Sequence, residues 1–118
     1  MRRMAVVLIT ASLMALGAMQ TAFAAVSSQI SIAYNHDTGR FHGKVTSSDP
    51  ECQAGRTVRL FKRTADGRRL KGRTLTNHDG RWRIAAPSAH GHFFAVTPEE
   101  LIMDTMCGGD RSRTIDVM

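Results

Sequence analysis

The chain of 118 residues is poor in aromatic side chains and lacks the short motifs of common enzymes. Only 6% of its residues are aromatic, with one Trp and one Tyr, so it offers no stacking platform for single-stranded nucleic acid. Sequence-specific nucleic-acid recognition is therefore disfavoured. The chain contains no G-x-S-x-G, no H-E-x-x-H, no phosphate-binding loop and no C-x-x-C pair. The length suits one small domain and excludes a multidomain enzyme, and the absence of these motifs favours a protein without catalytic activity.

The longest apolar run lies at the N-terminus. Arg2 and Arg3 precede the uncharged segment Met4–Met19, and the sequence Ala-Phe-Ala follows at 22–24. This order is typical of a signal peptide that is cleaved between Ala24 and Ala25. The alternative is a membrane anchor, but the run is short for a span. We therefore expect residues 1–24 to be a signal peptide and residues 25–118 to form a single secreted or periplasmic domain without a transmembrane span.

The charges of the predicted mature domain are unevenly distributed. Without residues 1–24 it has 94 residues and 14 basic against 10 acidic side chains, a net charge of +4. Residues 55–83 contain ten basic and two acidic side chains, whereas residues 97–110 contain four acidic side chains and no Lys or Arg. The middle of the domain is therefore strongly basic, and the segment near its C-terminal end is acidic.

Cys52 and Cys107 are the only two cysteines. Export would place both thiols in an oxidising compartment, where an even number of cysteines favours a disulfide. The alternatives are two free thiols or a pair of metal ligands. A small domain that buries only part of its chain gains much from such a cross-link, so we predict that the two residues are bonded.

Short segments of alternating polar and apolar residues, separated by turn signals, predict an all-β fold. Trp82 and Ile84 are expected to point inward between Arg81 and Arg83, and one helical turn is an option at Glu99–Met103. About seven strands are expected: Gln29–Tyr34, Arg40–Ser47, Thr57–Arg63, Arg69–Leu75, Arg81–Ala85, His92–Thr97 and Ser112–Val117. The number and spacing of these strands are typical of a β-sandwich or barrel.

The order of glycines, cysteines and the tryptophan resembles that of the transthyretin-like or carboxypeptidase-regulatory-like group, also called prealbumin-type. Its clearest part is the turn from Thr76 through Gly80 to Trp82, and its other parts are Gly43-x-Val45, Cys52, Gly55-Arg56-x-Val58-x-Leu60, Asp66-Gly67, Gly91–Ala95, Cys107 and Ser112. The resemblance implies a seven-stranded immunoglobulin-like β-sandwich, similar to small secreted bacterial proteins with one disulfide. The group includes hydroxyisourate hydrolases with a C-terminal Tyr-Arg-Gly-Ser signature. This chain ends in Thr114–Met118 without that signature, so we do not expect that activity.

Four arginines are candidate anion-binding residues. Arg59, Arg63, Arg81 and Arg83 alternate with apolar residues, so each is expected to point outward. If their strands share a sheet, they form one basic face that attracts an anionic envelope polymer or an acidic protein. The alternative is a solvated face that keeps the protein soluble.

Three histidines are weak candidates for metal binding. His90 and His92 lie two residues apart, and His78 lies in an earlier turn that could be close to them. Neutral imidazoles are good zinc or copper ligands, but no spacing supplies a further ligand, so no cofactor is expected. The leading hypothesis is a secreted, non-catalytic binding or structural module. The alternative is a transthyretin-like hydrolase or metal-binding protein that uses these histidines.

Overall fold

Extended strands make up nearly all the regular structure of residues 24–118, the part of the chain that the computed structural model describes. The predicted signal peptide, except for Ala24, lies outside the described residues. This part contains one short 3₁₀ helix, Pro50–Cys52, and no α-helix. Its strands are β1 (Ser28–Ile30), β2 (Ala33–Asn35), β3 (Arg40–Ser47), β4 (Thr57–Thr64), β5 (Gly67–Leu75), β6 (Arg81–Ala85), β7 (Gly91–Thr97), β8 (Glu100–Ile102), β9 (Thr105–Cys107), β10 (Asp110–Arg111) and β11 (Ile115–Val117).

These strands form three antiparallel sheets, which confirms the predicted all-β class. In the four-stranded sheet, β3 is central, with β1 and β2 along one side and β6 along the other. In the five-stranded sheet, the order is β5, β4 and β7, and both β10 and β11 pair with the far side of β7. Strands β8 and β9 form a separate hairpin. The eleven strands in three sheets therefore exceed the seven strands that were predicted.

One predicted strand is divided, one is shortened, and one predicted turn is wrong. The segment Gln29–Tyr34 is interrupted between β1 and β2. The last predicted strand, Ser112–Val117, is reduced to β11, and β10 lies just before its predicted start. In place of a helical turn at Glu99–Met103, the hairpin β8–β9 turns at Met103, which has a φ of 56°. Cys107 is fixed by its disulfide to Cys52 and by a bridge to Val26, and the backbone of Glu100 pairs with it, so this segment is extended.

The four-stranded and five-stranded sheets pack face to face around one hydrophobic core. The first contributes Ile30, Ile32, Phe41, Val45 and Trp82, and the second contributes Val58, Leu60, Phe93, Ala95 and Val117. The predicted inward position of Trp82 is confirmed, since it is only 3% exposed. Alternation along each strand therefore separates core residues from a solvent-facing surface on the outside of each sheet.

The turn between β5 and β6 is built on two residues of the motif from Thr76 to Trp82. The Oδ1 of Asn77 accepts hydrogen bonds from the backbone N–H groups of Asp79 and Arg81, both at 2.9 Å. Gly80 has a φ of +82°, and a Cβ there would collide with the carbonyl oxygen of Val45. Only glycine combines that conformation with such a close approach, so the backbone of the turn explains the glycine of this motif.

The predicted disulfide is present between Cys52 and Cys107, whose Cα atoms are 5.4 Å apart. Both cysteines are fully buried. The bond joins the 3₁₀ helix to β9 at one end of the sandwich. Within residues 24–118, no helix has the length and apolar character needed to cross a membrane.

Candidate anion-binding face

The four predicted arginines do not form one face. Arg59 and Arg63 lie on β4 of the five-stranded sheet, whereas Arg81 and Arg83 lie on β6 of the four-stranded sheet. The residues that alternate with them point into the same core from opposite sides. The two pairs must therefore project from opposite surfaces of the sandwich, and the expected single basic face is wrong.

One of these surfaces, the outside of the five-stranded sheet, carries a denser basic cluster than the sequence suggested. The strand register places its outward residues in three rows across the sheet: Arg111, Val96, Arg59 and Arg73 in the first, Phe94, Phe61 and Leu70 in the second, and Arg63 and Arg68 in the third. An apolar row thus lies between two rows of arginines. We call this surface the arginine–aromatic face and define it by Arg59, Phe61, Arg63, Arg68, Leu70, Arg73, Phe94 and Arg111.

Two stacked phenylalanines form the centre of this face. The rings of Phe61 and Phe94 are 5.5 Å apart between centroids, with an angle of 22° between their planes. Phe94 is only 1% exposed although it points away from the core, so other side chains must cover it. The guanidinium of Arg111 lies 4.0 Å from the centroid of the Phe94 ring, and that of Arg63 lies 5.2 Å from it.

A third arginine covers the second ring. The guanidinium carbon of Arg68 lies 4.2 Å from the centroid of the Phe61 ring. A guanidinium over an aromatic face is attracted by the ring quadrupole and retains N–H donors at its rim. The stacking therefore holds three positive charges in place. Nε of Arg63 donates a 3.4 Å hydrogen bond to the hydroxyl of Thr114, and the other N–H groups of these guanidiniums have no acceptor among the described residues.

The positive charges on this face have no acidic partners in the described part of the chain. Its ion pairs are Arg56–Glu100, His78–Asp79 and His92–Asp116, none of which belongs to the face. Moreover, Arg59 lies directly opposite Arg73, and Arg63 opposite Arg68. Like charges at such positions repel each other and destabilise a sheet, so a bound anion would relieve this repulsion.

Arg56 belongs to the basic segment 55–83, but its side chain is not at the surface. Its side chain is completely buried and donates five hydrogen bonds, one from each N–H of the guanidinium. The acceptors are the carboxylate of Glu100, the hydroxyl of Ser28 and the backbone carbonyls of Cys52, Pro98 and Gly108, at 2.8–3.0 Å. This arginine therefore holds the end of the sandwich together, beside the disulfide, and contributes nothing to the surface.

The three histidines proposed as metal ligands do not converge. His78 lies in the turn between β5 and β6, whereas His90 precedes β7 and follows the opposite end of β6. The five residues of β6 separate these turns by about 16 Å. His92 is exposed, and its Nδ1 lies 3.8 Å from the carboxylate of Asp116. Among residues 24–118, no three His, Cys, Asp or Glu side chains are grouped to hold a metal.

Sequence reasoning missed Arg68, Arg73 and Arg111 as members of the face, and it missed their aromatic neighbours. The alternation of Phe61 with Arg59 is visible in the sequence, but pairing of Arg111 with β7 depends on the fold. Comparison of the chain with protein-family models, curated proteins and solved structures finds no match. A function for this protein must therefore follow from its own geometry.

Proposed function

We propose that the protein is a secreted, non-catalytic β-sandwich module that binds an anionic polymer of the cell envelope through the arginine–aromatic face. One observation carries the proposal. Arg63, Arg68 and Arg111 lie over the rings of two outward phenylalanines without a carboxylate partner among the described residues. Ordered, unpaired guanidiniums are suited to bind carboxylate, sulfate or phosphate groups.

We further propose a seven-stranded immunoglobulin-like sandwich of the transthyretin-like group as the underlying fold. Strands β1 and β2 pair with the same side of β3, and strands β10 and β11 pair with the same side of β7. If each pair counts as one interrupted strand, the two large sheets contain three and four strands. The hairpin β8–β9 is then an insertion between the sixth and seventh strands.

Secretion is the expected location. The disulfide supports it, because such bonds persist in oxidising compartments and are rare in the cytosol. The N-terminal sequence pattern favours export for an independent reason. An envelope polymer with repeated negative charges is therefore a partner that the protein would meet after export.

The arrangement of the face favours a linear polymer as the partner. Two rows of arginines run across the strands, on either side of the row that contains Phe61 and Phe94. Outward residues along a strand recur about every 7 Å, so the two arginine rows lie about 14 Å apart and separate anionic groups of one extended polymer can reach both. The attraction between exposed charges is screened by salt, which makes binding strongly dependent on ionic strength.

Retention on immobilised heparin and on immobilised polyglutamate tests the proposal, with elution by a salt gradient. The variant Arg63→Gln/Arg111→Gln removes two positive charges from the face, and Arg81→Gln/Arg83→Gln removes two from the opposite surface. We expect the first variant to bind about tenfold more weakly, because each exposed contact contributes up to about 1 kcal/mol. The second should bind nearly as the unmodified protein does.

Each outcome of this comparison has a defined meaning. Equal losses in the two variants would show that retention follows net charge alone and would overturn the proposed site. A preference for heparin over polyglutamate would assign sulfate-like anions, and the reverse would assign carboxylates. The fluorescence of Trp82, the only tryptophan, checks that each variant is folded.

A further inference from the structure

The hairpin β8–β9 has an apolar outer face that remains largely exposed in the described structure. Leu101 and Met106 lie directly opposite each other in the hairpin, so their side chains share one face. Leu101 is 63% exposed and Met106 is 38% exposed, and Met103 at the turn is 75% exposed. An apolar cluster of this kind at the surface of a small domain marks an interaction site.

Negative charges surround this hairpin. Glu51, Glu99 and Asp104 are exposed, and none of them belongs to an ion pair within residues 24–118. Glu51 is tied to the hairpin, since its carboxylate accepts a 2.7 Å hydrogen bond from the hydroxyl of Thr105. The apolar face of the hairpin is therefore accompanied by three carboxylates that have no cationic partner among residues 24–118.

The edge of the five-stranded sheet has the complementary properties. Strand β5 is nine residues long and, in the described structure, pairs along one side only, with β4. It carries the exposed apolar side chains of Leu70 and Leu75, which are 51% and 60% exposed. Its exposed cations are Arg68, Arg69, Lys71 and Arg73. An edge with so many like charges resists pairing with itself but favours an acidic strand.

We infer that the hairpin β8–β9 of one copy binds along the β5 edge of a second copy, so that the protein associates head to tail. The contact would bring apolar side chains together while the free carboxylates of the hairpin meet the cations of the edge. Because the two surfaces differ, each copy keeps one of them available. Association therefore continues into rings or filaments and does not stop at a symmetric dimer.

A second copy is preferred over the chain's own N-terminal segment as the partner that covers the apolar face of the hairpin. Ala24, the first described residue, lines a cleft of about 500 Å³ with Leu101 and Met106. However, Arg2 and Arg3 are the only charged side chains of that segment, and the segment is expected to be removed as a signal peptide. The β5 edge of a second copy supplies both the apolar side chains and the opposite charge.

Charge-reversal variants of the protein purified after export test this contact. The variants are Arg69→Glu/Lys71→Glu on the edge and Glu99→Lys/Asp104→Lys near the hairpin. Mass is measured by light scattering after size exclusion, over a range of protein concentrations, at about 50 mM and about 500 mM salt. For the unmodified protein, we expect mass to rise with concentration and to fall at high salt.

Each variant alone should associate about tenfold more weakly, and an equimolar mixture of the two should regain association, because opposite charges then meet again. Restoration on mixing cannot arise from misfolding. The matched control, Arg81→Glu/Arg83→Glu, reverses two charges on β6 and should associate as the unmodified protein does.

Three results would overturn the inference: a mass that stays monomeric at every concentration, a mixture that remains monomeric, or a control that loses association equally. Arg69 and Lys71 lie outside the arginine–aromatic face, so heparin retention of the same variants separates failure of this contact from failure of the proposed function.

Discussion

Replacement of Arg56 by Met should destabilise the protein more than any surface substitution of an arginine. Arg56 is fully buried, and all five of its N–H donors are used. Methionine is similar in length but has no donor, so one hydroxyl, three backbone carbonyls and the carboxylate of Glu100 lose a partner. Two of those carbonyls flank the disulfide, at Cys52 and Gly108.

The expected loss is about 4 kcal/mol of unfolding free energy. Removal of one member of a buried ion pair costs about 3–5 kcal/mol, and each buried acceptor without a donor costs about 1 kcal/mol or more. The side chain of Glu100 is 20% exposed and keeps two hydrogen bonds from Thr57, so water and these bonds reduce its part of the cost. The total unfolding free energy of a domain is about 5–15 kcal/mol, so the loss is a large fraction of the stability of this protein.

Urea unfolding followed by Trp82 fluorescence measures this loss, since the single tryptophan is buried in the core. Arg56→Lys is the matched control for charge. Lysine keeps the charge but has three donors on one nitrogen, so the Arg56→Lys variant should lose about half as much unfolding free energy as Arg56→Met. Arg56→Met/Glu100→Met should be no less stable than Arg56→Met, because no unpaired charge remains. A loss below about 1 kcal/mol for Arg56→Met would refute the reasoning.

Three further predictions concern stability and use the same urea assay. Cys52→Ala/Cys107→Ala opens a cross-link between residues 55 positions apart and should cost about 4 kcal/mol; a loss near zero would contradict the chain-entropy estimate. Trp82→Ala should cost about 3–5 kcal/mol as a large core truncation, and a surface-like loss would contradict its packing. Gly80→Ala should cost more than Gly55→Ala, because both have positive φ but only Gly80 faces a backbone atom at collision distance.

Several features of the fold could be predicted from local sequence patterns. Alternation of apolar residues around Val58, Leu60 and Trp82 predicts which side chains point inward, since successive residues of a strand face opposite sides. The pairing of Cys52 with Cys107 follows from their number and the expected compartment. The helical turn at Glu99–Met103 was wrong because β8 pairs with β9, and β9 is fixed by the disulfide to Cys52 and by a bridge to Val26, which are distant in sequence.

The candidate site was only partly predictable for the same reason. Arg59 and Arg63 were correctly expected to point outward together, as residues of one strand at even spacing must. Arg81 and Arg83 were grouped with them, but sheet order separates the two strands. Arg111 could not be predicted as a member of the arginine–aromatic face, because its approach to Phe94 depends on the pairing of β10 with β7.

The sequence by itself determined the all-β class, the direction in which alternating side chains point, and the glycine at the turn after β5. These properties depend on the spacing of neighbours along one strand or on the backbone of one residue. Only the tertiary structure decided which strands share a sheet, which arginines cover the two phenylalanines, and why Arg56 is buried and not exposed. Those outcomes depend on contacts between residues up to 52 positions apart, whose partners are chosen by the packing of the whole domain.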